Sequence, residues 1–187
     1  LVYPGLGWVV WRDKKYLPGD MSFSVNYLGA DITQVGLNFS RPAAQILAQY
    51  YNFLHLGVEG YREVHSNSMN IARYCHEAIG KMHCFQNYSK ELDNPLFIWF
   101  LKPEYEKTAK WTLFDLQDKL MQCGWMVPAY TMPKDIEDMV VMRVVVRQGM
   151  SRDMADMLIT DIQNAVAELE QLEYPTPTRQ ATCNNKK

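Results

Sequence analysis

One arginine stands inside an otherwise apolar stretch late in the chain. Arg143 lies within Met139-Val-Val-Met-Arg-Val-Val-Val146, whose β-branched residues predict a strand. Neighbouring strand residues face opposite sides, so Val141 and Val145 would share the side of Arg143 and the other side would be wholly apolar. A guanidinium buried there needs a partner, because an unpaired buried charge costs several kcal/mol. Its planar fork suits a carboxylate, which predicts either a carboxylate ligand or an internal ion pair; an edge strand with Arg143 reaching water is a further interpretation.

A second candidate site is the segment Asn38-Phe-Ser-Arg-Pro42, at the predicted start of a helix. Proline fits the first helical turn and disfavours helical conformation in the residue before it, so Ser40 or Arg41 would lie at the cap. Free backbone amides, the positive end of the helix dipole, a hydroxyl and a guanidinium would then converge, which predicts a phosphate site. A capped helix whose Arg41 pairs with a nearby carboxylate is the alternative interpretation.

The cysteines are scattered and form no C-x-x-C pair, so we expect reduced thiols rather than a disulfide framework. They are Cys75, Cys84, Cys123 and Cys183. The close set of Cys75, His76, His83 and Cys84 fits no common zinc spacing, and Cys75 falls on the apolar face of a helical pattern. We therefore predict no metal site, and we expect the four histidines to be surface or packing residues.

Hydrophobic periodicity predicts helices and strands that alternate after an extended N-terminal region. The predicted strands are 8–11, 97–101, 125–130 and 139–146, with a hairpin or flap over 23–35. The predicted helices are 42–56, 58–79, 112–123 and 151–172, with Thr112 and Ser151 as N-caps. The later elements should form an α+β sandwich with the helices on one face of the sheet.

Composition excludes several classes of protein. The 187 residues carry a formal charge of -2, which provides no basic field for nucleic acid, and no apolar run is long enough to span a membrane. With no secretory signal pattern, these features predict a cytoplasmic protein. Because Leu1 begins a stretch typical of the middle of a domain, we expect a fragment or a processed chain.

Several collinear blocks resemble one known family. They are Gly7-Trp-Val-Val-Trp-Arg-Asp13, Tyr27-Leu-Gly29, the run from Leu37-Asn-Phe-Ser-Arg-Pro through Tyr51 and on to Gly57-Val-Glu-Gly-Tyr61, and Asp138-Met-Val-Val-Met-Arg143. Together they make the chain similar to glutamate decarboxylases, of the pyridoxal-phosphate-dependent group II decarboxylase family, to about residue 173. The resemblance implies an α/β fold: the C-terminal part of an aspartate-aminotransferase-like (fold type I) enzyme. It divides the chain into 1–56, the end of the large cofactor-binding domain with the flap and first linking helix; 57–80, a linking helix; 81–174, a small α+β domain; and 175–187, a disordered tail.

The resemblance also implies roles for single residues. Ser40 would contact the phosphate of pyridoxal 5'-phosphate held by the neighbouring subunit of a homodimer, and Arg143 would face the α-carboxylate of L-glutamate. Tyr27 and Leu28 would belong to a flap that closes over the partner's active site, although Asn26 stands where some relatives have Asp. The lysine that bonds the cofactor would lie before Leu1, so no catalytic residue is assigned to this chain and the chain alone should be inactive.

Two other interpretations remain at this point. The chain could belong to another pyridoxal-phosphate-dependent amino-acid decarboxylase, because the residues that read the distal carboxylate would lie outside it. It could also be a non-catalytic dimerisation module. Glutamate is selected over other substrates by the resemblance alone.

Overall fold

The computed structural model describes residues 1–19, 23–27, 30–34 and 42–176 of the chain. It separates into two compact units, Leu1–Gly60 and Tyr61–Lys187. A 3-10 turn covers Lys14–Tyr16, and the strands and longer helices follow in this order: β1 (Phe23–Tyr27), β2 (Ala30–Gln34), α1 (Ala44–Gly80), β3 (Phe85–Asn87), β4 (Leu96–Leu101), α2 (Pro103–Glu106), α3 (Leu113–Gln122), β5 (Ala129–Thr131), β6 (Val140–Val145) and α4 (Arg152–Glu170).

In the first unit, β1 and β2 pair in antiparallel fashion, as expected for the predicted hairpin, from Phe23 with Gln34 to Tyr27 with Ala30. The predicted strand at residues 8–11 is wrong, because that segment has no strand hydrogen bonds and its Val10 side chain is 88% exposed. A strand needs a neighbouring strand to accept and donate its backbone hydrogen bonds, and β-branched residues do not supply that neighbour. Instead, the Trp8 ring lies 6.0 Å from the ring of Phe53 on α1.

Helix α1 joins the two helices that the sequence predicts, and it is kinked between them. Gly57 has φ 56° and ψ -170°, a conformation that is open to glycine and costly for other residues. Beyond the kink, Ile71, Cys75 and Ile79 recur at every fourth position and are buried, as expected for an amphipathic helix.

The second unit contains a four-stranded antiparallel sheet in the order β3-β4-β6-β5. One sheet face carries Phe97, Trp99 and Met142, which are buried in a core shared with α3, α4 and the second half of α1. The predicted α+β sandwich with helices on one sheet face is therefore confirmed. Strand β5 is shorter than predicted, because residues 125–128 run outside the ladder and only Ala129–Thr131 pair with β6.

Both helix caps of this unit agree with the sequence. Ser151 accepts a hydrogen bond from the Met154 amide, and Thr112 forms a capping box with Asp115. Tyr74 on α1 donates a hydrogen bond to Asp156 on α4, and the Arg152 guanidinium lies over the Tyr74 ring.

The last described residues are fixed to the start of α3. The amide of Thr176 donates to the carbonyl of Lys110 at 3.0 Å, and its hydroxyl donates to Asp115 Oδ2 at 2.7 Å. Order therefore extends at least to Thr176, beyond the predicted boundary at Tyr174. Residues 177–187, including Cys183, lie outside the described part of the chain.

Candidate functional site

Arg143 lies in the middle of β6, on the sheet face opposite the helices. Its backbone pairs with Ile98 of β4, while its neighbour Met142 points into the core. The expectation of a buried guanidinium is wrong, because the Arg143 side chain is exposed. The helices pack on one sheet face, and alternation places Arg143 on the other face, where Val141 is fully buried and Val145 is half exposed.

An aromatic ring, and no acid, accompanies this arginine. The Arg143 guanidinium carbon lies 5.6 Å from the centre of the Tyr130 ring, and among the described residues it forms no ion pair. Tyr130 pairs with Val141, so it is the diagonal neighbour of Arg143 on the same face, a separation that aromatic and long side chains can bridge. A cation-π contact leaves the edge of the guanidinium, with its paired N–H donors, available to a ligand.

A cavity of ≈ 310 Å³ opens beside Arg143. Strand β5 begins only at Ala129, opposite Met142, so the part of β6 from Arg143 onward has no ladder partner on that side. The wall of the cavity combines two guanidinium groups with apolar side chains, including Arg143, Arg147, Trp125, Met126, Pro128 and Val145. Positive charge beside an apolar wall suits an anion that carries a hydrocarbon part, such as a carboxylic acid.

The other three predicted site residues have no described side chain. Tyr27 ends β1, and its backbone is described, whereas Leu28 and Ser40 lie outside the described residues. The predicted helix start is wrong by two residues: α1 begins at Ala44, so Pro42 lies before the first turn and the residue preceding the helix is Ala43 rather than Ser40 or Arg41. The structure therefore gives side-chain geometry for Arg143 alone among the four.

Tyr130 is the residue that sequence reasoning missed. The sequence predicts a strand at Tyr130 but not its partner, because the pairing of β5 with β6 depends on a register that single-strand periodicity does not contain. One signal was available in the sequence. Alternation places Arg143 on the opposite side of the strand from Met142 and Val144, and an aromatic residue on a neighbouring strand is a common cross-strand partner for a residue on that side.

Two of the thiols are buried, and His83 contacts an acid. Cys75 and Cys84 are buried, and burial raises their thiol pKa values to about 11 and about 12, so both stay protonated. No group of three or more potential metal-ligating side chains occurs within the described ranges. His83 instead approaches Glu170 at 2.7 Å, and Glu170 also accepts a hydrogen bond of 2.6 Å from Tyr105. None of the described helices is long and apolar enough to cross a membrane.

Comparison with known proteins gives a consistent result. The family described as "Pyridoxal-dependent decarboxylase conserved domain" matches residues 1–100. The chain is 42% identical over 169 residues to "Glutamate decarboxylase beta" of Listeria innocua, covering 90% of this chain and 36% of that protein. It is 45% identical over 172 residues to "Glutamate decarboxylase 5" of Arabidopsis thaliana, covering 92% of this chain and 34% of the relative.

A solved structure shows that the fold is similar as well as the sequence. The glutamate decarboxylase of Lactobacillus brevis superposes with a TM-score of 0.81 at 40% identity, and the match covers 92% of this chain and 38% of that one. The chain thus spans little more than a third of the length of the relatives it matches. Its elements correspond to the C-terminal part of a fold type I enzyme, as predicted.

Proposed function

Because this chain belongs to the pyridoxal-dependent decarboxylase family, we propose that it is part of a glutamate decarboxylase that converts L-glutamate into 4-aminobutanoate and carbon dioxide. Relatives and a solved structure of that name, each at least 40% identical, support this choice of substrate. The geometric observation that carries the proposal is the guanidinium of Arg143, which is exposed beside a cavity, supported by a ring and paired with no described acid.

The chain's residues fit a role beside pyridoxal 5'-phosphate. Helix α1 begins at Ala44, so the backbone amides of its first turn have no helical carbonyl to pair with and can meet a phosphate. Ser40, which precedes this turn in the chain, would add a hydroxyl donor to the phosphate held by the neighbouring subunit. When bound, the cofactor supplies an electron sink for the pair of electrons left by departing carbon dioxide.

Arg143 would orient the substrate. By gripping the α-carboxylate through two parallel hydrogen bonds, it would hold the bond to be broken perpendicular to the cofactor ring. This contribution is positional, because tight pairing to a carboxylate in the ground state would by itself slow loss of that carboxylate. The ring of Tyr130 would keep the guanidinium in place while leaving its donors open.

The same proposal includes a flap, an oligomeric state, a cellular location and the domain boundaries. Tyr27, the last residue of β1, and Leu28 would close over the partner's active site. The enzyme would act as a cytoplasmic homodimer or higher homo-oligomer. Residues 1–56 would complete the large domain, 57–80 would link the domains, and 81–174 would form the small domain.

Release of carbon dioxide from a panel of amino acids tests the function. The protein containing this chain is purified with pyridoxal 5'-phosphate and supplied separately with L-glutamate, L-aspartate, L-tyrosine and L-tryptophan. We expect release from L-glutamate together with stoichiometric 4-aminobutanoate. Release from an aromatic substrate instead would assign another decarboxylase, and a cofactor-free dimer with no release would indicate a dimerisation module.

A further inference from the structure

The segment from Trp125 to Pro128 lies between two cavities of the C-terminal unit. One is the cavity of ≈ 310 Å³ beside Arg143, and the other is an apolar pocket of ≈ 340 Å³ next to α3. All four residues of the segment line both cavities. The segment is therefore a wall that the two cavities share.

The two chain neighbours of Met126 in this wall are held in place. Trp125 Nε1 donates a hydrogen bond to Asp161 Oδ2 at 2.7 Å, and the Val127 side chain is buried. Met126 lies between them and is 91% exposed, more than any other described methionine. Its thioether is therefore open to small molecules in solution, while its anchored neighbours keep it at the cavity beside Arg143.

An exposed thioether can be oxidised by a hydroperoxide. The peroxide O–O bond breaks, one oxygen atom forms an S–O bond with the sulfur, and hydrogen peroxide leaves as water. The sulfur loses two electrons, which the peroxide gains. The product, methionine sulfoxide, carries a polar oxygen that accepts hydrogen bonds, whereas the thioether accepts them only weakly.

This oxygen would form beside donors that no described acid satisfies. Arg143 and Arg147 line the same cavity as Met126, and neither forms an ion pair with a described residue. The cavity volume is at the small end of the range for ligand sites, so a long side chain on its wall can reach across it. Methionine has three rotatable bonds with which to do so. A guanidinium that donates to the sulfoxide oxygen cannot offer the same N–H groups to a carboxylate.

We infer that Met126 is an oxidation site whose sulfoxide oxygen competes with the substrate carboxylate for Arg143. This regulation rests on the proposed function, because it acts on the same site. In the reduced protein, the apolar thioether leaves the guanidinium available to substrate. In the oxidised protein, the competition is internal and saturating substrate overcomes it. Oxidation should therefore raise KM for L-glutamate and leave kcat unchanged.

Site-resolved oxidation tests the first step. The cofactor-loaded protein is treated with a low concentration of hydrogen peroxide and then with dithiothreitol, which reduces disulfides and sulfenic acids but not methionine sulfoxide. Peptide mapping by mass spectrometry gives the oxidised fraction of each methionine. We expect Met126 to be oxidised severalfold faster than Met121, which is 52% exposed and lines only the pocket next to α3.

Kinetics of matched variants test the second step, with each protein compared before and after oxidation. In the parent and in Met121→Leu, oxidation should raise KM for L-glutamate about tenfold, the effect of one competing hydrogen bond to a charged group. In Met126→Leu, the same treatment should leave KM unchanged. Methionine sulfoxide reductases of both stereospecificities should restore the KM of the oxidised parent.

A binding measurement separates this inference from the proposed function. Met126→Gln places a permanent acceptor on the wall, so it should bind glutarate, a dicarboxylate, about tenfold more weakly than Met126→Leu does in isothermal titration calorimetry. That difference without any turnover of L-glutamate would overturn the proposed function and retain the oxidation site.

Four outcomes would overturn the oxidation site itself. Met121 could be oxidised as fast as Met126. Oxidation could change kcat in place of KM. The parent and Met126→Leu could respond alike to peroxide. The two Met126 variants could bind glutarate equally or not at all.

Discussion

The guanidinium carbon of Arg143 lies 5.6 Å from the centre of the Tyr130 ring, across two neighbouring antiparallel strands. Contact with this ring should restrict an exposed side chain that would otherwise sample many rotamers. A restricted guanidinium loses less conformational entropy when it binds a carboxylate. Tyr130 should therefore act as a positioning residue for Arg143.

Replacing Tyr130 by leucine tests this role. In the cofactor-loaded enzyme, Tyr130→Leu should raise KM for L-glutamate about two- to fivefold, the value of an exposed cation-π contact of about 0.5–1 kcal/mol. Tyr130→Phe keeps the ring and should have the parent KM. If the leucine and phenylalanine variants have the same KM, the ring does not position Arg143.

Replacing Arg143 by alanine should remove activity while leaving the cofactor bound. Loss of substrate orientation predicts a decrease in kcat/KM of roughly 10²-fold. Arg143→Lys retains the charge but loses the planar fork, so it should recover only part of the activity. Steady-state kinetics and the cofactor absorbance of each purified variant provide the measurement, and unchanged turnover in Arg143→Ala would refute the role.

Replacing Ser40 by alanine should weaken cofactor retention. The loss of one hydrogen bond to a charged phosphate predicts an affinity about tenfold lower. Ser40→Thr keeps the hydroxyl and is the matched control. Bound pyridoxal phosphate is measured by absorbance after dialysis, and equal retention by the alanine variant and the parent would contradict this assignment.

The contact between Glu170, His83 and Tyr105 should make stability depend on acidity. Partial burial raises the pKa of Glu170, but hydrogen bonds from Tyr105 and His83 outweigh it and hold the pKa below its ordinary value. A depressed carboxyl pKa stabilises the fold above the unfolded-state pKa, about 4.3, and this contribution is lost as pH falls through the folded-state pKa. The urea midpoint of Glu170→Gln should therefore decrease less steeply than that of the parent below about pH 4.

A neighbouring carboxylate provides the control for this measurement. Glu168 is on the same helix, is 62% exposed in its side chain and pairs with Lys119 at 2.7 Å. Glu168→Gln should keep the steep acid dependence of the parent. Parallel curves for the parent and Glu170→Gln would show that the contact does not contribute.

The regular elements of the second unit could be predicted because local signals agreed with the packing. Thr112 and Ser151 cap the helices that they were expected to cap, and the apolar periodicities of α3 and α4 match their buried faces. The strand predicted at residues 8–11 failed because β propensity describes a side chain's fit to a sheet and does not supply the partner strand.

The environment of Arg143 could be predicted only in part. The sequence singles out this residue and predicts a carboxylate ligand for it, but its apolar neighbours suggest a buried guanidinium, whereas the side chain is exposed. Which sheet face the helices cover depends on how α3 and α4 pack against the sheet. The sequence of β6 alone does not contain this information. The support from Tyr130 required strand register as well.

One carboxylate oxygen connects the start of α3 with the end of the described chain. Asp115 Oδ2 accepts from the Thr112 amide at 2.7 Å, from the Thr112 hydroxyl at 2.8 Å and from the Thr176 hydroxyl at 2.7 Å. Shortened versions of this protein made for crystallisation should therefore retain Thr176. Trimming the chain back to Glu170 would save few residues and would strip a hydrogen-bond donor from the carboxylate that anchors this helix.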